Sequence, residues 1–217
     1  MQNFPDAGSP WWSRRSLVAG AGMRAFRELL TTVVMATLVF ILVQGTVRNY
    51  RVEGFSMDNS FHNGQLVLVS KLSYARPGVK GISKVLPFLD RDKDGVMEPF
   101  GAPMRGDVVV FYSVEQSGRF LVKRVIGLPG DSVEIRKGVI YSNGKPVDER
   151  SYIDNPGVYT MSATTIPSGS YWVMGDNRTA SSDSRTWGFL PRKNLVGKAW
   201  VSYWPLDRLG WVRAPRF

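Results

Sequence analysis

Between Glu28 and Arg48 the chain carries no charge: Leu29 to Val47, LLTTVVMATLVFILVQGTV, is a run of 19 mostly apolar residues. At the rise of an α-helix it spans about 28 Å, close to the hydrocarbon thickness of a bilayer. Thr31, Thr32, Thr37 and Thr46 can return their hydroxyls to helix carbonyls, so they cost little in lipid. The apolar core of a cleaved secretory signal is shorter, about 7–15 residues, and ends in small residues around its cut. This run is longer and leads into Gln44-Gly-Thr-Val-Arg48 instead. It is therefore read as an uncleaved anchor. Arg14, Arg15, Arg24 and Arg27 precede it, whereas only Arg48 and Arg51 follow nearby. The positive-inside rule then places residues 1–28 in the cytoplasm, 29–47 in the cell membrane and 48–217 on its outer face.

The remaining residues, 48–217, suffice for one packed domain. They show short apolar or alternating runs broken by Gly, Pro and Asn: Leu66–Val69, Val108–Phe111, Phe120–Leu128, Val133–Ile135 and Tyr171–Met174. Val139-Ile-Tyr141 leads into Asn143-Gly144, a type I′ hairpin signal. No long amphipathic helix is legible past residue 50. The expected fold is mainly β, a mostly antiparallel sheet domain behind one transmembrane helix. Residues 76–106 form a Gly- and Pro-punctuated insert. Within it Asp90-Arg-Asp-Lys-Asp-Gly95 opens like a calcium loop, but Gly101 stands where the closing Glu belongs. A solvated acidic turn is the better reading.

Composition narrows the chemistry. There is no Cys, which excludes disulfides, zinc ribbons and thiol nucleophiles. The one His, His62, excludes a multi-histidine metal site within the chain. A net charge of +10 points to an anionic partner, nucleic acid or a lipid surface.

Three features carry reactive groups. Ser56 lies in Glu53-Gly-Phe-Ser-Met-Asp58, just beyond the anchor. Lys123 lies in the apolar strand Phe120–Gly127, on the face of Leu121 and Val125, with Arg124 on the opposite face. A lysine there loses hydration, which lowers its pKa and fits it to act as a general base; a snorkelling edge lysine is the plainer alternative. Gly175 to Gly188 is dense in small polar residues. Within it Asp183 can pair with Arg185 and also with Arg124, and so support Lys123.

In order along the chain, the anchor, Gly54-Phe-Ser-Met57, Arg105-Gly-Asp-Val-Val-Val-Phe111, KRVIGLPGD from Lys123, and Gly175-Asp-Asn-Arg178 through Ser181, Asp183-Ser-Arg185 and Trp187-Gly188 resemble the type I signal peptidases. Tyr141-Ser-Asn-Gly-Lys-Pro146 and Tyr203-Trp-Pro-Leu206 fit the same family, and the likeness runs from about residue 29 onward. The resemblance implies a membrane-bound serine endopeptidase that removes signal peptides from preproteins after small-x-small sites. Ser56 would be the nucleophile and Lys123 the base. Ser181 would orient the lysine amine. Asp183, Arg185 and Arg124 would support the site, and the Ser56 N–H would be one oxyanion donor. The family often adds a serine hydroxyl two residues before the nucleophile as second donor; Gly54 stands there, as glycine does in many members. Met57 and Phe61 are expected near the substrate pocket. Asp58-Asn-Ser-Phe61 and Gln65 depart from the family's run.

No metal or cofactor is expected. The implied partners are preprotein signal peptides and membrane phospholipids. From Arg185 on, seven basic residues and one acid interleave with Trp187, Trp200, Trp204 and Trp211. That spacing also suits an anchored, non-catalytic binding domain for nucleic acid, but an outside location argues against nucleic acid. An atypical Ser/Lys peptidase is the other alternative. A self-cleaving repressor would need a helix-turn-helix where the apolar run stands. His62, six residues after Ser56, is the rival base.

Overall fold

The computed structural model describes residues 11–74 and 101–215. Residues 76–100 of the expected insert, with the Asp90–Gly95 turn, and residues 1–10 lie outside the described residues. The chain divides into two units, Met1–Gly45 and Thr46–Phe217.

The first unit is helical. α1 (Trp11–Thr46) has 36 residues, and Gly22–Thr46 within it is long and apolar enough to cross a membrane, with a mean hydropathy of 2.0. Thr31, Thr32 and Thr37 donate to the carbonyls of Arg27, Glu28 and Val33 at 2.8–2.9 Å, so their hydroxyls are satisfied within the helix. The helix stops at Thr46, one residue short of the apolar run. There the Lys71 N–H donates to the Thr46 carbonyl at 2.9 Å, and Val47 opens a strand opposite Ser70.

The described residues of the second unit form twelve strands. They are β1 (Val47–Arg51), β2 (Leu66–Ser70), β3 (Val108–Tyr112), β4 (Phe120–Gly127), β5 (Ser132–Arg136), β6 (Val139–Ser142), β7 (Lys145–Pro146), β8 (Met161–Thr165), β9 (Ser170–Met174), β10 (Leu190–Pro191), β11 (Leu195–Trp204) and β12 (Gly210–Trp211). One short helix, α2 (Ser184–Trp187), precedes β10. The large sheet runs β1-β2-β11-β3-β4-β9-β10 with β12 on β11; the small one runs β7-β6-β5-β8. Every pairing is antiparallel. The hairpin expected at Asn143-Gly144 joins β6 to β7, with both residues at positive φ, 51° and 78°, as a type I′ turn needs.

Alternation along the strands sorts the core. Val52, Val67, Val108 and Ala199 pack with Met57 and Phe61 on one face of the large sheet, with Val122 against them. Val109, Phe111, Val125, Tyr171, Val173 and Leu190 pack on the other. β3 is buried on both faces except at Tyr112, which is why it reads as a continuous apolar run. A third cluster joins Ile126 of β4 to Val133, Ile135 and Ile140 of the small sheet.

The sheet also curls. β1 and β4 are separated by three strands in its order, yet the rings of Tyr50 and Phe120 stand 5.2 Å apart. Among the described residues both strands keep a free edge, and β1 pairs only with β2. β4 pairs with β3 from Phe120 onward but with β9 only from Arg124 onward, so Phe120–Lys123 is unpaired on that side.

Candidate active site

Ser56 sits in a tight turn after β1, where Phe55 O accepts from Asp58 N–H at 3.2 Å and Met57 O accepts from Ser60 N–H at 2.7 Å. This turn is tied to the Gly175–Gly188 loop, as the Asn177 N–H donates to the Ser56 carbonyl at 3.0 Å. Gly175 lies at the junction. A Cβ there would collide with Ser181 Oγ and come within 2.5 Å of the Ser56 carbonyl oxygen, so only glycine lets the loops meet.

Lys123 reaches the same point from β4. Its Nζ lies 2.7 Å from Ser56 Oγ, and the residue is 3% exposed. Burial pulls the ammonium pKa down from 10.5 to about 8, against the pull of Asp183 and Asp176 and with the help of Arg119 and Arg185. Near pH 8 half of such amines are neutral and can accept a proton. A hydroxyl and a buried amine this close can pass a proton between them, which is what activates a nucleophile.

The Gly175–Gly188 loop is fixed by Asp183. Its carboxylate caps α2 by accepting from the Arg185 N–H, receives both Arg185 Nε and Nη2 at 2.8 Å, and accepts from the Gly175 N–H at 3.0 Å. Burial opposes its charge, but these donors outweigh burial and hold its pKa below the usual carboxylate value. Ser181 Oγ is buried close enough to Asp183 to aid this, yet no hydrogen bond of normal geometry reaches it. The bond expected from Ser181 to the lysine amine is therefore not among those formed.

The pairing of Asp183 with Arg124 does not occur. Asp183 is saturated by Arg185 and Gly175, while alternation turns Arg124 to the opposite face of β4. There it meets Asp176, at 2.9 and 2.6 Å, and Ser60 Oγ at 3.1 Å, with the Tyr152 ring 4.3 Å from the guanidinium. Ser60 in turn donates to Asp176 at 2.5 Å. Asp176 and Ser60 were missed. Asp176 lies within the Gly175–Arg178 block beside the expected residues, and its neighbour Gly175 was the available signal; Tyr152 left none.

Met57 and Phe61 belong to the packed core, 0% and 3% exposed, and neither lines the cleft beside Ser56. The turn folds their apolar side chains inward beneath the serine. Phe61 borders a different cavity, with Tyr152 and Trp211. The cleft at Ser56 and Lys123, about 360 Å3, runs between the two free strand edges. Tyr50, Val52, Val67, Val110, Val122 and Ala199 are among its walls. Gln65 holds its turn: its Oε1 accepts from the His62 N–H at 2.9 Å and its amide donates to Ser202. His62 Nδ1 pairs with Asp58 at 2.8 Å and makes no bond to Ser56. Nothing accepts from the Ser56 N–H among the described residues, and Gly54 N–H is taken by Asn63 Oδ1 at 3.0 Å. Among the described residues no three His, Asp or Glu side chains gather as metal ligands would.

Residues 25–204 match the family model described as Signal peptidase, peptidase S26. The chain is similar to "Signal peptidase I" of Leptolyngbya laminosa, 41% identical over 54% of this chain and 60% of that one. It is also similar to "Probable signal peptidase I-2" of a Synechocystis species, 34% identical over 84% of this chain and 75% of the relative. Among solved structures, a signal peptidase I from Enterococcus faecalis is 32% identical, covering 45% of this chain and 97% of that one, with a TM-score of 0.39. The chain belongs to the signal peptidase family, peptidase S26.

Proposed function

We propose that this protein is a membrane-anchored endopeptidase that removes signal peptides from exported preproteins, with Ser56 as nucleophile and Lys123 as general base. The observation that carries the reading is the 2.7 Å contact between Ser56 Oγ and the buried, pKa-lowered amine of Lys123. Neutral Lys123 takes the Ser56 hydroxyl proton as Oγ bonds to the scissile carbonyl carbon. The resulting ammonium returns that proton to the departing amine as the C–N bond breaks, leaving an acyl-enzyme. Lys123, neutral again, then deprotonates the water that hydrolyses the ester. The unpaired Ser56 N–H suits the developing oxyanion.

The cleft supports an extended substrate. A strand laid between the edges of β1 and β4 gains main-chain hydrogen bonds while its side chains meet the apolar floor. Val52, Val67, Val110, Val122 and Ala199 leave room for small residues one and three before the cut. Anchoring by residues 29–47, with Arg14, Arg15, Arg24 and Arg27 before them cytoplasmic, keeps the cleft at the outer face. Exposed Trp200, Trp204, Leu206, Leu209 and Trp211, near Arg208 and Arg213, suit contact with phospholipid.

Preprotein cleavage by wild type and Ser56→Ala, purified in detergent, tests the reading. Loss of cleavage in the variant is expected; equal cleavage by both would discard it.

A further inference from the structure

The cleft changes character along its length. Near Ser56 its floor is aliphatic and small. Two residues farther along each strand, on the same face, stand three aromatics: Tyr50 before Val52, Tyr112 after Val110 and Phe120 before Val122. They form one continuous ledge. The Tyr50 and Phe120 rings meet edge to face with centroids 5.2 Å apart, and the Phe120 ring lies 4.7 Å from that of Tyr112, its direct cross-strand partner. Buried aromatic contacts would account for a purely structural cluster, but Phe120 is 41% and Tyr112 48% exposed. The ledge is continuous with the cleft, since Tyr50 and Phe120 both line it.

Polarity follows from acyl transfer. After the first step only the segment before the cut stays attached to the enzyme, so a cleft extending to one side of Ser56 serves that segment. β1 and β4 both run toward the reacting pair, Tyr50 to Ser56 and Phe120 to Lys123. A substrate strand whose upstream part fills the cleft therefore runs parallel to both. Its side chains alternate. If residues one and three before the cut face the aliphatic floor, the next on that face is the fifth. Phe120 lies three residues from Lys123, about 10 Å, and the fifth residue lies about 13 Å from the first, within reach of the ring.

We infer that Tyr50, Phe120 and Tyr112 form a subsite for an apolar side chain five residues before the scissile bond, a specificity determinant beyond the small-residue positions. The inference rests on the peptidase reading. A bulky apolar residue there buries its surface against three rings, which favours it over glycine by roughly tenfold in kcat/KM.

The test uses the full chain in detergent with two preprotein substrates that differ only in Leu or Gly at that position. Wild type is expected to cut the Leu substrate about tenfold better. In Phe120→Ala the Leu/Gly ratio falls toward one, and Phe120→Tyr restores it. A purely structural Phe120 would lower cleavage of both substrates together and keep the ratio, which would overturn the inference, as would a ratio near one in wild type. Tyr112→Ala provides a second reading of the ratio if Phe120→Ala does not fold. Failure of the peptidase reading looks different: wild type then cuts neither substrate, or Ser56→Ala cuts both.

Discussion

Lys123 carries the largest electrostatic cost in the proposed mechanism. Its folded pKa of about 8 lies below the ordinary 10.5, chiefly because it is buried. Between those values the unfolded chain binds the extra proton, so stability rises with pH across that window and is lowest, by about 3 kcal/mol, below pH 8. Lys123→Met removes the penalty. Its melting temperature at pH 7 should exceed that of wild type by several degrees, and the gap should close as pH rises from 8 to 10.5; thermal denaturation at several pH values measures this. At this scale the sequence was only partly legible. Alternation put Lys123 on the face of Leu121 and Val125, which do pack with the apolar cluster on that side. That face made a low pKa foreseeable. The 2.7 Å approach of Ser56, 67 residues away, was not, because tertiary folding creates it.

At the scale of elements, two loops meet over one glycine. The turn holding Ser56 and the loop capped by Asp183 approach so closely at Gly175 that an added methyl group must displace Ser181 or the Ser56 carbonyl. Gly175→Ala should therefore move the serine from its line of attack. A misplacement of about 1 Å lowers kcat roughly 100-fold, with a smaller change in KM, in preprotein-cleavage kinetics. The strands themselves were plain in the sequence, since alternation and the Asn143-Gly144 turn are local signals. The partner of Arg124 was not, because Asp176 and Asp183 are equally local to that loop. The saturation of Asp183 by Arg185 and Gly175, together with the turning of Arg124 to the opposite face of β4, decides between them.

At the scale of the whole molecule the claim is topological. An apolar helix precedes the β-unit, and the charge asymmetry around it favours a cytoplasmic amino terminus. The absence of cysteine makes the test clean. In a single-cysteine set, Ser117→Cys should react with a membrane-impermeant thiol reagent on intact cells, and Ser9→Cys only after lysis. The opposite pattern would invert the assigned orientation. That a neutral lysine rather than an imidazole activates Ser56 is read from the pH dependence of kcat/KM for preprotein cleavage. The rate should climb through an apparent pKa near 8 and level off in alkaline solution. A profile that is flat from pH 6 to 9, or that turns near 6.5 as histidine would make it, would rule Lys123 out as the base.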